Sequence, residues 1–197
     1  TNLQALIDAE REGKIPGGRI VRVISSNPEA YALERAAAAG IASTVVRRRH
    51  YADAASFDAA LLAALEDCQA ELVVLAGFLS ILGDAVIARY RNRILNVHPS
   101  LIPAFCGKGF YGLKVHQAAL EYGVKVTGAT VHFVNEEPDG GPIVLQKAVD
   151  IQEDDTPETL QRRVMEQCEW SILPRAVSLF CEGRLHVGGR HVKITEG

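Results

Sequence analysis

The chain has 197 residues, with 21 Lys and Arg against 24 Asp and Glu for a formal charge of −3, and 48% of its residues are hydrophobic. This composition excludes a disordered chain, and the length suits a single domain, residues 1–197, large enough to bury a core. No apolar run approaches the roughly 20 residues that span a bilayer, and the slightly acidic balance leaves no footprint for nucleic acid, so neither membrane nor nucleic acid is an expected partner.

Asn2 to Glu12 carries Leu3, Leu6 and Ile7 at helical spacing and ends at Gly13, which predicts a helix almost from the first residue. Gly18 to Ser25 is short and β-branched and predicts a strand. Asn27-Pro28 then turns the chain into an Ala-rich helix, about Glu29 to Ala39, closed by Gly40. The unit repeats as Ser43 to Val46 before a helix over about Ser56 to Cys68, and as Leu72 to Ala76 before a helix over about Asp84 to Tyr90. The strand Ile94 to Val97 follows. Strands alternating with helices imply a parallel sheet, and the wholly apolar run Leu72 to Gly77 is expected near its centre.

After a Gly-rich loop from Pro99 to Gly112 come a helix over about Lys114 to Tyr122 and two strands, Val126 to Val134 and Ile143 to Val149. Their connector, NEEPDGGP, predicts an antiparallel return. Thr156-Pro157 starts a helix that runs toward Cys168 and continues in pieces to Glu182. A hairpin, Arg184 to Val187 and His191 to Ile194 turned by Gly188-Gly189, ends the chain. The fold class is therefore α/β, an open, mostly parallel central sheet with helices on both faces and antiparallel strands in the C-terminal half. Cys68, Cys106, Cys168 and Cys181 contain no C-x-x-C pair and read as reduced thiols of a cytoplasmic protein. No secretory signal pattern is visible.

Asn96 and His98 lie two apart at the end of a strand, so both side chains share one face at the edge where open sheets bind ligands. An amide donor beside an imidazole suits a developing oxyanion, and equally a strand-end cap beside a partly exposed histidine. Asp139 sits in the turn Pro138-Asp139-Gly140-Gly141-Pro142, where Asp is a common turn former. If that turn folds over the strand ends, its carboxylate approaches His98 and raises the histidine pKa. Thr130 and His132 share a face of the next strand, where His132 reads as a satisfied core histidine. The set His98, His132 and Asp139 has no short metal-ligand spacing, so no metal is expected. Arg47-Arg48-Arg49 reads as a solvated loop or as a seat for a multiply anionic ligand tail. Thr1-Asn2, at a helix start, has the makings of a phosphate site. His50, His116, His186 and His191 show no pairing and read as surface residues.

Four segments, TNLQALIDA (Thr1 to Ala9), LAGFLSILG (Leu75 to Gly83), ILNVHPSLIPAF (Ile94 to Phe105) and GATVHFVNEEPDGGPIVLQ (Gly128 to Gln146), occur in this order. Together they resemble the phosphoribosylglycinamide formyltransferases of the folate-dependent formyltransferase superfamily, over nearly the whole chain. N-x-H-P-S is shared by the wider superfamily, whereas the TNLQ start and the chain length select this member. The resemblance implies a Rossmann-like sheet and two small-molecule substrates, 10-formyltetrahydrofolate as formyl donor and glycinamide ribonucleotide as acceptor, in a monomer or homodimer. It implies that Asn96 and His98 stabilise a tetrahedral oxyanion while Asp139 tunes the histidine and helps move protons, with Thr130 and His132 supporting them. Formyl-folate would be held by Leu79, Ser80, Ile81 and Leu82, by Asn96, and by the loop with Gly140 and Gly141. Thr1 and Asn2 would hold the ribonucleotide phosphate and Glu169 would face its ribose.

The pattern departs from the family at three places. Ser80 stands where many relatives carry Arg, and Ala54 stands where a basic folate contact is expected, unless the run Arg47 to Arg49 substitutes for it. The resemblance also implies a first strand and a Gly-x-Gly turn ahead of Thr1, in the middle of the parallel sheet. Rival readings are a formyltetrahydrofolate deformylase, which carries an extra N-terminal domain and His in place of Pro99, a methionyl-tRNA formyltransferase, which is more basic and longer, and a folate- or nucleotide-binding protein without catalysis.

Overall fold

The computed structural model describes residues 1–78 and 82–196, and these contain seven α-helices and eight strands. Helix α1 (Asn2–Arg11) leads to strand β1 (Val23–Ser25), shorter than the sequence pattern predicts. The Ile20 N–H bonds the Glu10 carboxylate of α1 at 2.9 Å, so this part of the apolar run uses its backbone outside any ladder. Helix α2 (Tyr31–Ala39) stops at Gly40, whose φ of 71° closes the last turn, and β2 (Ser43–Val45) lies parallel to β1. A 3₁₀ turn (Arg48–His50) precedes α3 (Ala54–Asp67), where the Asp53 carboxylate caps the helix by accepting the Ser56 N–H.

Strand β3 (Val73–Leu75), helix α4 (Asp84–Arg89) and strand β4 (Ile94–His98) repeat the unit, with β3 parallel to β4. Helix α4 has no side-chain cap of its own. Asp58 reaches across from α3 and accepts the Gly83 N–H at 2.8 Å, and Gly83 makes room for it, since a Cβ there would lie 2.5 Å from the carboxylate. Helix α5 (Leu113–Tyr122) is followed by β5 (Val126–Phe133) and β6 (Ile143–Asp150), and β5 runs antiparallel to both β4 and β6. Helix α6 (Pro157–Val164) begins with reciprocal capping by Thr156 and Thr159 and passes through a π-helical turn (Met165–Glu169) into α7 (Trp170–Cys181). The closing hairpin, β7 (Leu185–Gly188) and β8 (His191–Ile194), joins β6 through His191 opposite Ile143.

Parallel pairing thus occupies the N-terminal half of the chain, and the C-terminal half is antiparallel except for the short parallel contact of β6 with β8. The six-stranded sheet has the order β3-β4-β5-β6-β8-β7, with β1 and β2 as a separate parallel pair. The expectation that Leu72 to Gly77 lies near the sheet centre is corrected, because β3 is an edge of the six-stranded ladder. Its apolar character has a different cause: Val74 packs on one core cluster and Val73 and Leu75 on the other, so both faces are covered although one edge is not paired within that sheet.

Alternation along β4 divides the core in the same way. Leu95 and Val97 face Leu6 of α1, Leu160 of α6 and Leu173 of α7, while Ile94 faces Leu61 of α3 with Val86 and Tyr90 of the α4 region. Helices therefore cover both faces, and each such side chain buried contributes roughly 1.5–3 kcal/mol toward holding β4 in register. Asn96 and His98 share the parity of Ile94, at the carboxyl end of this well-anchored strand. Among the described residues no helix is long and apolar enough to cross a membrane.

Candidate active site

Strand β4 ends at His98 because Pro99 cannot donate to a ladder. Asn96 and His98 lie opposite His132 and Thr130 of β5, so the two pairs picked out by their period of two meet on one face. His98 and His132 are 4% and 2% exposed. The Asn96 amide donates to Nε2 of His132 at 3.3 Å, and Nδ1 of that ring donates to the Phe133 carbonyl at 2.9 Å. A carbonyl only accepts, so Nδ1 carries a proton, and both nitrogens have partners. His132 is the satisfied core histidine that the sequence predicts. Asn96, with two amide hydrogens, has a second one to give.

Asp139 adopts a left-handed backbone, φ 53°, in the loop between β5 and β6, and the turn does fold over the strand ends. Its Oδ2 lies 3.5 Å from Nδ1 of His98 and accepts the Gly107 N–H at 2.8 Å, while its Oδ1 lies 3.6 Å from Nε2 of His132. Burial alone would raise the Asp139 pKa, but the net direction is downward, and the Gly107 N–H that donates to Oδ2 favours the ionised carboxylate whichever ring nitrogens carry protons. Nε2 of His98 donates to the Phe105 carbonyl at 2.8 Å. Burial pushes the His98 pKa down and exceeds the upward pull of the Phe105 carbonyl and of Asp139, so the expected effect of the carboxylate is present but outweighed. The resting ring is neutral, and its bare Nδ1 faces an ionised carboxylate. A proton arriving at Nδ1 completes an ion pair there.

Thr130 is fully buried and ties the loop after β4 to the sheet. Its hydroxyl accepts the Ile102 N–H at 3.1 Å and the Gln146 amide at 2.9 Å and donates to the Ser100 carbonyl at 2.7 Å. These bonds anchor the segment containing the cis Ile102–Pro103 peptide, which leads on to the Phe105 carbonyl over His98 and the Gly107 N–H on Asp139. The Gly140 N–H closes the Asp139 turn on the Glu137 carbonyl at 2.9 Å. Gly141 packs so tightly that a Cβ would stand 1.7 Å from the Phe133 carbonyl oxygen, so backbone packing demands glycine there irrespective of any ligand.

A second cluster joins the two ends of the chain. Asn2 donates to Oε2 of Glu169 at 2.7 Å, and its own Oδ1 is buried without a partner. Glu169 lies in the π-helical turn, 6% exposed; burial raises its pKa and the Asn2 bond opposes the rise. The Thr1 hydroxyl does not cap α1 and lies 3.7 Å from Sδ of Met165. The start of α1, whose first backbone N–H groups have no intrahelical acceptor, opens on a cavity of about 170 Å³ walled also by Tyr31, Arg35, Ala76 and Gly77. Helix start and guanidinium together favour an anion.

Leu82 is buried, and its side chain belongs to the α3–α4 core, which leaves its backbone for any ligand. Leu79, Ser80 and Ile81 lie outside the described residues. His50, His186 and His191 are exposed as expected, but His116 is not a surface residue. It lies with Val115 and Ala119 on the buried face of α5, 1% exposed, with no partner for either ring nitrogen among the described residues. The spacing of His116 and Ala119, one helical turn apart beside Val115, is the sequence signal for that burial. Phe105 and Gly107, which act through backbone atoms, carry no such signal. Among the described residues no group of three or more His, Cys, Asp or Glu is placed to hold a metal.

Burial, with a smaller contribution from the charge of His98, holds the His116 pKa at about 4. An unfolded histidine titrates near 6.5, so between these values the unfolded chain takes a proton that the folded chain refuses. This contribution to stability is complete above pH 6.5 and falls as the pH drops toward 4, by up to on the order of 3 kcal/mol. His98, displaced in the same direction, adds to the slope. Urea unfolding across this range is expected to show a flatter pH dependence for His116→Leu; an unchanged slope would exclude the ring as its source.

Residues 1–177 match the formyl transferase family. The chain is 42% identical to the phosphoribosylglycinamide formyltransferase of Haemophilus influenzae, over 95% of this chain and 85% of that protein. It is 41% identical, along its whole length, to part of the trifunctional purine biosynthetic protein adenosine-3 of Bos taurus, and spans only 19% of that much longer protein. Among solved structures, it is similar to glycinamide ribonucleotide transformylase 1 from Symbiobacterium toebii, with a TM-score of 0.93 and 47% identity over 99% of this chain and 89% of that one.

Proposed function

The chain belongs to the formyl transferase family, and from that premise we propose that it transfers the formyl group of 10-formyltetrahydrofolate to the amine of glycinamide ribonucleotide, a step of purine synthesis. The reading takes residues 1–197 as one domain that works in the cytoplasm on two small molecules. The observation that carries it is the Asp139 carboxylate set between the rings of His98 and His132, beside an Asn96 amide with a hydrogen to give.

The amine nitrogen bonds to the formyl carbon, the carbonyl pair moves onto oxygen, and the tetrahedral species collapses by expelling the folate nitrogen. Asn96 donates its second N–H to the developing oxyanion. His98, protonated at Nδ1 against Asp139, supplies positive charge beside it. The amine gives up one proton and the leaving nitrogen gains one, and the His98–Asp139 pair is the relay between them. No covalent enzyme intermediate is needed. Formyl-folate would lie along the backbone of Leu79 to Leu82, with Gly140 and Gly141 in the loop over it. The ribonucleotide phosphate would meet the start of α1 at Thr1 and Asn2, with Glu169 accepting from its ribose.

Formyl transfer assayed with and without glycinamide ribonucleotide tests this reading. Product formation that depends on the acceptor supports it, and tetrahydrofolate release at equal rate without acceptor would mean hydrolysis instead. In the same assay Glu169→Ala is expected to raise the ribonucleotide KM about tenfold or more, the loss of a charge-assisted hydrogen bond of roughly 1.5–3 kcal/mol, with a smaller effect on the folate KM.

A further inference from the structure

The family match covers residues 1–177, and the closing hairpin of β7 and β8 lies outside it, yet the tip of that hairpin touches the loop that carries Asp139. Gly188 pairs with His191, so the connecting loop is Gly189 and Arg190. Gly189 has a φ of 60°, the left-handed value that a two-residue loop needs at its first position, and Arg190 takes the second. From there Nη1 of Arg190 donates to the Gly140 carbonyl at 3.2 Å, across 50 positions of sequence. Its Nη2 lies 3.8 Å from Oε2 of Glu137.

The two residues that Arg190 reaches are the first and the last of one turn. The Gly140 N–H bonds the Glu137 carbonyl at 2.9 Å, which makes residues 137–140 a β-turn with Pro138 second and Asp139 third. The ring fixes Pro138 at a negative φ, whereas Asp139 stands at 53°, in a third position that glycine or asparagine usually fills. An aspartate there carries backbone strain and keeps its conformation only while its surroundings over-determine it. The Gly107 N–H holds the side chain, and Arg190 holds both ends of the turn. The paired charges of Arg190 and Glu137 are exposed and contribute little by themselves, so the bond to the Gly140 carbonyl carries most of the restraint.

The hairpin is a firm mount for this contact. Leu185 and Val187 of β7 and Val192 of β8 pack on the core cluster that contains Leu95 and Val97 of β4. At its base Arg184 donates to the Thr195 carbonyl at 2.7 Å, and the Arg184 carbonyl accepts the Thr195 N–H at 3.0 Å. The rung that joins β8 to the central sheet pairs His191, the neighbour of Arg190, with Ile143, where the Asp139 loop has just returned to β6. We infer that Arg190 is a positioning residue: it ties the hairpin to both ends of the turn and so holds the Asp139 carboxylate between the rings of His98 and His132. Its consequence for turnover rests on the proposed reading of the chain as a formyl transferase, and its consequence for the geometry does not.

Two measurements on the full chain use that difference. Amide hydrogen exchange reads the geometry with no substrate present, at the Gly107 N–H, which bonds the Asp139 carboxylate from another segment of the chain. Loss of one such hydrogen bond in Arg190→Ala is expected to speed exchange at Gly107 about tenfold, while Arg190→Lys, which keeps a charged donor, stays within about threefold of the unaltered protein. Steady-state kinetics read the consequence: Arg190→Ala is expected to lower kcat about three- to tenfold with both KM values within about twofold, and Arg190→Lys to recover most of the loss. Unchanged exchange at Gly107 would overturn the inference. Exchange that quickens equally throughout β5 would do so as well, because it would report general destabilisation. So would a kcat that stays at the parent value in Arg190→Ala, or one that falls without recovery in Arg190→Lys. If the unaltered protein transfers no formyl group while Gly107 responds as expected, the positioning stands and the proposed function alone fails.

Discussion

His98→Ala and Asp139→Asn are each expected to lower kcat by about a hundred- to ten-thousandfold while leaving the KM of both substrates within a few-fold. The Asn side chain at 139 can still accept the Gly107 N–H, so the loop keeps its anchor, but the charge shared between the rings of His98 and His132 is gone. Without it a proton on Nδ1 of His98 has no counterion in a pocket that already disfavours the charged ring. Asn96→Ala removes an oxyanion donor worth on the order of 3 kcal/mol, about a hundredfold in rate, and also takes a donor from Nε2 of His132. Because the carboxylate acts through the ring, the His98→Ala, Asp139→Asn double variant should be little slower than the worse single one. A His98→Ala protein turning over within a few-fold of the parent would refute the assignment, and fully additive losses would separate Asp139 from the histidine.

Gly141→Ala is expected to destabilise the protein by on the order of 3 kcal/mol or more, because its Cβ would meet a backbone carbonyl with nowhere to retreat. The Phe133 N–H bonds the Pro142 carbonyl at 2.9 Å at the same point, so relief of the clash must open the junction of β5, β6 and the Asp139 loop. Gly140→Ala is a natural control. Its Cβ would meet only the Glu137 side chain, from Cγ outward, an exposed group that can change rotamer, and no backbone atom. Denaturant unfolding should therefore show a large drop in midpoint for position 141 and a small one for position 140. Were Gly141 needed only for folate contact, its substitution would instead raise the folate KM with the midpoint unmoved.

Local patterns carry a long way along this chain. Thr156-Pro157 marks a helix start and Gly40 a helix end because capping chemistry is settled by neighbours in sequence. The wholly apolar run at β3 reports that both faces are covered, yet it is silent on what lies beside the strand, and so its place in the sheet is misread. His116 shows a similar limit: helical spacing places it on the apolar side of α5, but how deeply that side is covered depends on elements far away in the chain.

The sequence by itself determined the alternation of strands and helices, the antiparallel return through the Pro138 to Pro142 turn, and the shared face of Asn96 and His98, since a period of two decides that last point without reference to the rest of the fold. Tertiary structure alone decided that Asp139 lies between two imidazoles, that Asn2 bonds Glu169 across 167 positions of sequence, and that His98 rests neutral. Each of these depends on through-space distance or on a balance between burial and neighbouring charge. Burial disfavours the charged ring and Asp139 favours it, and only the depth of the pocket makes the first effect the larger.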